Sequence, residues 1–332
     1  MTRFVFKRLR CSELWAVRLS IILVFSGSVL SAQEPRRQIR LQHYPEALNY
    51  LVIGDWGLGN SRQREVAAQM ARVAQQVDVD FIITTGDNFY PSGVTSERDT
   101  LWKTAFEDVY DSPSLHVPWY PVLGNHDYGT NPDAQIRYTD VSDRWEMPSR
   151  YYKKIFPVPK DSTTKVMFLF IDTAPLIPGN YEKNLAVNGN DTTAQLSWIK
   201  KSLSEVPSDV KWIYVVGHHP VYTAGERSGT SETRYTRSVL QPLFSRYTVD
   251  AYLSGHEHNL QVLRGSDGLH QFISGGGFDT RLVNPFVRRF FAKSAFGFML
   301  FSVLKDKTLV QIINRKGRVL YRYEILAGNR VR

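Results

Sequence analysis

From Tyr50 onward, short runs of consecutive apolar residues alternate with stretches in which apolar residues return every three or four positions. Leu51–Ile53, Phe81–Ile83, Tyr120–Leu123, Val166–Ile171, Trp212–Val216 and Ala251–Leu253 read as strands, and their near-continuous apolar character marks strands covered on both faces. Helical spacing runs over Ser61–Val77 (Val66, Met70, Val73, Val77), Thr100–Tyr110, Ala194–Val206 (Leu196, Ile199, Leu203) and Tyr235–Tyr247. The stretch from Phe298 to Ile325 reads as antiparallel strands turned at Lys305-Asp306-Lys307 and Arg315-Lys316-Gly317. The pattern predicts an α/β fold: a mostly parallel sheet with helices outside, and a second sheet built from the late β-rich segment. One domain is expected over residues 47–326, after a polar lead-in at 33–46 and before a short tail at 327–332.

The N-terminus breaks this pattern. Arg3, Lys7, Arg8 and Arg10 precede the apolar run Leu19–Phe25, which ends at small residues Ser31 and Ala32. A charged start, a short apolar core and a small-residue end describe a secretory signal over residues 1–32. A membrane span takes ~20 apolar residues, and Arg18 interrupts this run. Removing the signal takes five basic and one acidic side chain from the 41 basic and 32 acidic, which lowers the net charge from +9 to +5. That excess attracts anions but is no nucleic-acid signature, so nucleic acid is not expected as a partner. The single cysteine, Cys11, lies in the signal, so thiolate nucleophiles and cysteine-held zinc are excluded from the mature chain.

The chemistry lies where strands end. Leu51–Ile53 runs into Gly54-Asp55-Trp56-Gly57, Phe81–Thr85 into Gly86-Asp87-Asn88-Phe89-Tyr90, and Tyr120–Leu123 into Gly124-Asn125-His126-Asp127. Trp212–Val216 runs into Gly217-His218-His219-Pro220, and Ala251–Ser254 into Gly255-His256-Glu257-His258. Ligands of open α/β sheets collect at the carboxyl ends of strands. One Gly-Asp there is an ordinary turn; five, all with oxygen or imidazole donors, predict a dinuclear site for hard or borderline metals.

These motifs, in this order, resemble the purple acid phosphatases, a branch of the calcineurin-like metallophosphoesterases. The likeness is to the small animal-type, tartrate-resistant form, also along Phe89–Val94, Val117–Tyr120, Gln195–Trp198 and Gly255–Gln261. The resemblance implies a four-layer α-β-β-α sandwich of two mixed sheets flanked by helices. It implies that Asp55, Tyr90 and His258 hold a first metal, that Asn125, His218 and His256 hold a second, and that Asp87 bridges them. Two carboxylates and a phenolate suit iron(III) at the first site, and neutral donors beside the shared carboxylate suit divalent Fe, Zn or Mn at the second. Most relatives in the superfamily carry a histidine two residues after the first Asp; here that residue is Gly57, and Tyr90 is the family's replacement. The implied reaction is hydrolysis of small-molecule or protein phosphate monoesters by an iron(III)-bound hydroxide, with the substrate on the divalent metal and no phosphoenzyme.

His126 follows a ligand and is expected to donate to phosphate or to protonate the leaving oxygen. The chain departs from the family just after the second-metal histidine. His219 stands at a tyrosine position and Arg227 where a catalytic histidine is expected. Arginine clamps phosphate but cannot give up a proton, and His219 is either the alternative acid or a structural residue. The loop over the site is expected near Gly179–Asp191, next to a glycosylation sequon at Asn190. Competing readings are a phosphodiesterase or nucleotidase on the same fold, and a non-catalytic iron- or phosphate-binding protein. The expected location is secreted or periplasmic, and a monomer is plausible.

Overall fold

A computed structural model describes residues 39–178 and 192–328. The N-terminal apolar run, Cys11, the 179–191 segment and the sequon Asn190 lie outside the described residues.

Two mixed sheets form the centre. The first contains β1 (Leu48–Ile53), β2 (Phe81–Thr84), β3 (Trp119–Pro121), β11 (Gly297–Val303), β12 (Lys307–Asn314) and β13 (Val319–Leu326), in the order β13-β12-β11-β1-β2-β3. The second is ordered β10-β8-β9-β7-β6-β5-β4, from β4 (Tyr152–Val158), β5 (Asp161–Phe170), β6 (Val210–Val216), β7 (Ala251–Ser254), β8 (Leu260–Arg264), β9 (His270–Ser274) and β10 (Phe291–Lys293). Parallel pairing joins β1 to β2 to β3, and β5 to β6 to β7 to β9.

This corrects the assignment of strands to sheets while keeping the two-sheet architecture. The late segment does not make the second sheet. β11 pairs antiparallel with β1, Leu51 opposite Leu300, so the end of the chain extends the first sheet. The second sheet comes from the middle of the chain, including β4 and β8–β10, which the apolar pattern did not single out.

Alternation along the central strands explains the layers, since successive side chains of a strand point to opposite faces. In β5, Val166, Phe168 and Phe170 join the core between the sheets, with Trp212, Tyr214 and Val216 of β6. Met167, Leu169, Ile213 and Val215 face the other way, onto helices α3 (Thr192–Ser204) and α4 (Ser231–Arg246) through Ile199, Leu203, Leu240 and Phe244. Between the sheets Tyr50 stacks on Phe81 and Phe301, with ring centroids 5.0 Å apart in each case, and meets the edge of Phe168 at 5.2 Å. Such ring pairs add about 0.5–1.5 kcal/mol each beyond the area they bury.

On the first sheet, α1 (Ser61–Ala74) buries Val66, Met70 and Val73, and Asn60 caps it by accepting from the Gln63 amide at 2.9 Å. The short α2 (Asp133–Arg137) follows β3. The expected helix over Thr100–Tyr110 is shorter and wider: Trp102–Glu107 is a π-turn, with the Asp108 amide donating to the Lys103 carbonyl at 2.9 Å. It buries Trp102, Ala105 and Phe106 among the aromatic side chains behind Trp56. Of the histidines outside the motifs, His270 packs on Tyr323, its Nδ1 3.1 Å from the phenol oxygen. No helix among the described residues is long and apolar enough to cross a membrane.

Candidate metal centre

The carboxyl ends of β1, β2 and β3 in one sheet and of β6 and β7 in the other bring all seven expected ligands together. Three of them share an unusual backbone. Asp55, Asp87 and His256 have φ of 53°, 49° and 68°, and they make up three of the five non-glycine residues with positive φ among the described residues. That region costs an L-residue about 1–3 kcal/mol and is held only where surroundings impose it. Here the turn after each strand folds the next side chain inward. Gly57 shows how closely the loops approach: a Cβ there would lie 1.6 Å from the Asn88 carbonyl oxygen. No histidine fits at that position, and the Tyr90 amide donates to the Gly57 carbonyl at 3.0 Å.

Tyr90 fills the gap. Its Oη lies 2.9 Å from Asp87 Oδ2, 3.2 Å from Asp55 Oδ1 and 3.3 Å from His258 Nε2. On the other side, His218 Nε2 lies 3.1 Å from both Asn125 Oδ1 and His256 Nδ1, and 3.4 Å from Asp87 Oδ2. Asp87 therefore touches both donor sets, and Asp55 and Asp87 are buried.

The fit to cations follows from where the protons must be. His218 Nδ1 faces the Thr85 carbonyl at 2.8 Å, His256 Nε2 the Glu232 carboxylate at 3.0 Å, and His258 Nδ1 the Asp279 carboxylate at 3.1 Å. These oxygens only accept, so each of those nitrogens carries the hydrogen. In the neutral ring the remaining nitrogen offers a lone pair: His218 Nε2 faces Asn125 Oδ1 and Asp87 Oδ2, which only accept, with His256 Nδ1 a second lone pair 3.1 Å away, and His258 Nε2 lies 3.4 Å from the Asp55 carboxylate. A buried meeting of acceptors calls for protons or metal ions, and outward N–H groups tied to oxygen are the usual support of metal-bound histidine. With protons alone the cluster is awkward. Burial disfavours a charged His218, yet the Asp87 carboxylate overrides it and drives that pKa up to about 9. Burial, then Asp87 and Asp55, push the Tyr90 phenol well above its usual value.

The other candidates surround these donors. His126 packs against Tyr90, ring centroids 4.5 Å apart and the planes tilted by 47°; its amide donates to Asp87 Oδ1 at 2.8 Å and its Nδ1 to the Pro91 carbonyl at 2.6 Å. His219 is buried behind His218 and His256, its Nδ1 2.8 Å from Thr173 Oγ1. Its Nε2 has no hydrogen-bond partner among the described residues. With His218 and His256 it forms one of two possible ion-holding groups among the described residues, the other being Asp55, Asp87 and His258. Arg227 does not lie among the ligands. Its Nη1 donates to the His256 carbonyl at 3.1 Å and its Nε is 3.5 Å from Glu232.

Four further residues do positional work that the strand-end motifs did not assign. Asp127 accepts from the Gly124, Asn88 and Phe89 amides at 2.8, 3.0 and 3.2 Å, which ties the loop after β2 to the loop after β3. Thr173 accepts from the His218 and His219 amides at 3.2 and 3.1 Å. Asp279 was legible: β9 ends in Ser274 and runs into Gly275-Gly-Gly-Phe-Asp279, a sixth strand that ends in glycine, with an aspartate four residues on. Glu232, in the first turn of α4, carried no such signal.

Comparison with known proteins agrees with this geometry. The family described as calcineurin-like phosphoesterase matches residues 48–260. Rat tartrate-resistant acid phosphatase type 5 is 35% identical over 260 residues, which cover 73% of this chain and 75% of that protein. Purple acid phosphatase 3 of Arabidopsis thaliana is 32% identical, over 92% and 84%. Among solved structures, GAP50, described as the anchor in the inner membrane complex of Plasmodium, superposes with a TM-score of 0.73 at 27% identity, covering 86% of this chain and 90% of that one. A purple acid phosphatase from yellow lupin seeds shares the fold, with a TM-score of 0.64 at 17% identity over 85% and 55%. With the strand-end donors, the tyrosine in place of a histidine and these relatives in view, the chain belongs to the calcineurin-like phosphoesterases, among the purple acid phosphatases.

Proposed function

We propose that this chain is an exported acid phosphatase that hydrolyses phosphate monoesters at a two-metal centre. Asp55, Asp87, Tyr90 and His258 would hold iron(III); Asp87, Asn125, His218 and His256 would hold a divalent iron, zinc or manganese. The observation that carries this reading is the meeting of three imidazole lone pairs, each fixed by an outward N–H, with one another and with the buried carboxylates of Asp55 and Asp87. When bound, such a pair of metals supplies an activated water and a Lewis acid for the phosphoryl oxygens. The two donor sets differ in charge, two carboxylates and a phenol against one shared carboxylate, so they suit ions of different valence.

The chain's own groups orient the ester and handle its proton. His126 commits Nδ1–H to the Pro91 carbonyl, which leaves Nε2 as the atom that holds a proton for the leaving oxygen. His219 is buried behind two ligands and is poorly placed to reach a leaving group, so the acid role falls to His126. Arg227 stays charged at any working pH. Its Nε and Nη1 are engaged by Glu232 and the His256 carbonyl, and the rest of its fork is available to phosphate. Export rests on the charged, then apolar, then small-residue order of residues 1–32.

The visible spectrum of protein purified in air with iron and zinc tests the centre. Phenolate bound to iron(III) absorbs visible light, so the protein should be purple, and Tyr90→Phe should lose or shift the band. A colourless protein with two metals per chain would remove Tyr90 from the centre and favour the phosphodiesterase reading.

A further inference from the structure

Glu232 lies on the outer side of the second donor set, where three functional side chains meet. Its Oε2 is 3.0 Å from His256 Nε2 and 3.5 Å from Arg227 Nε, and its Oε1 is 3.8 Å from His219 Nε2. Arg227 in turn donates from Nη1 to the His256 carbonyl and lies 3.9 Å from the buried Glu257 Oε2, which has no hydrogen-bond partner among the described residues. One carboxylate thus touches the ring of a candidate ligand and the guanidinium beside it.

We propose that Glu232 is a positioning residue with two loads: it fixes His256 with Nδ1 toward the second metal, and it holds Arg227 where the ester's phosphate arrives. The inference rests on the two-metal reading above. The first load follows from proton placement. Glu232 accepts from His256 Nε2–H, so Nδ1 keeps its lone pair for the cation 3.1 Å from His218 Nε2. Without the carboxylate, the ring is free to rotate and to carry its hydrogen on Nδ1, which no metal can bind. The second load is electrostatic. Arg227 brings a permanent positive charge to within one residue of a dication site, and like charges in a partly buried setting repel. Glu232 offsets that repulsion and aims the fork. It joins Arg227 to the cluster through a residue from a different element, the first turn of α4.

An acid in the first turn also suits a helix N-terminus, which is capped here by Thr230, so the test must separate positioning from helix stability. Zinc affinity of the second site is measured with a competing chromogenic chelator, alongside KM for p-nitrophenyl phosphate at saturating zinc, in wild type, Glu232→Ala and Glu232→Gln. Glu232→Ala should keep the first metal, weaken the second about 10- to 100-fold, as loss of a ligand's supporting contact does, and raise KM. Glu232→Gln retains an oxygen that accepts from His256 Nε2–H, so it should recover most of the zinc affinity. A neutral amide lacks the charge that offsets Arg227, so its KM should stay raised. Wild-type zinc affinity and KM in Glu232→Ala, even with a lowered melting temperature, would overturn the proposal and leave Glu232 as a helix-end acid. A wild-type protein that takes up fewer than two metals would overturn the two-metal reading and this inference together.

Discussion

Asp55, Asp87 and His256 sit in a left-handed backbone, and hydrogen bonds to amides from other loops tie the two carboxylates. The Asp55 carboxylate accepts the His256 amide at 2.9 Å, and the Asp87 carboxylate accepts the His126 amide at 2.8 Å. Backbone amides thus fix carboxylates whose remaining lone pairs face the centre. At this scale the sequence was informative about donors and poor about supports. Strand-end glycines marked Asp55, Asp87, Asn125, His218 and His256 directly. Glu232 was not legible, since an acid in a first helical turn is commonplace and only the return of α4 to the centre gives it a target. His126 carries the clearest residue-scale prediction. Positioned general acids contribute about 10²–10⁴-fold, so His126→Ala should lower turnover by a factor in that range while metal content stays unchanged. Equal turnover in the variant would take His126 away from the substrate.

At the scale of elements, period-two alternation in β5 and β6 gives each strand two apolar faces, one toward the other sheet and one toward α3 and α4. That is why these strands read as continuous apolar runs. β4 was not recognised because it is an edge strand with exposed and half-buried positions between its ends. β10 is three residues long, too short for a period to show. In the layer between the sheets Tyr50 is fully buried, and its Oη has no hydrogen bond among the described residues. Burial drives its pKa well above 10, and Tyr214 adds to the shift, so the group is a neutral phenol. An unsatisfied buried hydroxyl costs about 1–3 kcal/mol. Tyr50→Phe keeps both ring stacks, so chemical denaturation should find it as stable as wild type or more stable, by up to about 1–2 kcal/mol. A loss of more than 1 kcal/mol would mean that the hydroxyl has a partner.

For the whole molecule, the centre is a seam between sheets. Asp55 at the end of β1 bonds the His256 amide after β7, Ser274 Oγ donates to the Val52 carbonyl at 2.8 Å, and the Gly277 amide donates to the Gly54 carbonyl at 3.2 Å. Metals bound to ligands from both sheets would bind the native chain and not the unfolded one, and that linkage adds about 4 kcal/mol at a thousandfold excess over Kd. Removing the metals should therefore lower the melting temperature in one cooperative transition that unfolds both sheets, followed by calorimetry with and without chelator. A chelated protein that melts unchanged would show that the centre contributes nothing to joining the sheets.

The sequence by itself determined the fold class and the chemistry of the donors, because both are written in local patterns: apolar runs of strand length, glycines at their ends, and oxygen or nitrogen side chains one residue later. Tyr90 came through the resemblance to the purple acid phosphatases, in which a tyrosine three residues past the second aspartate replaces the histidine that most of the superfamily carries where this chain has Gly57. Only the tertiary structure decided the strand order, where the last three strands join the first sheet, and the outer supports of the ligands from Glu232 and Thr173. Those depend on pairings between residues far apart in the chain, such as Leu51 with Leu300 and Glu232 with His256. A hydrophobic pattern records which face of an element is buried, but it carries no record of which other element covers it.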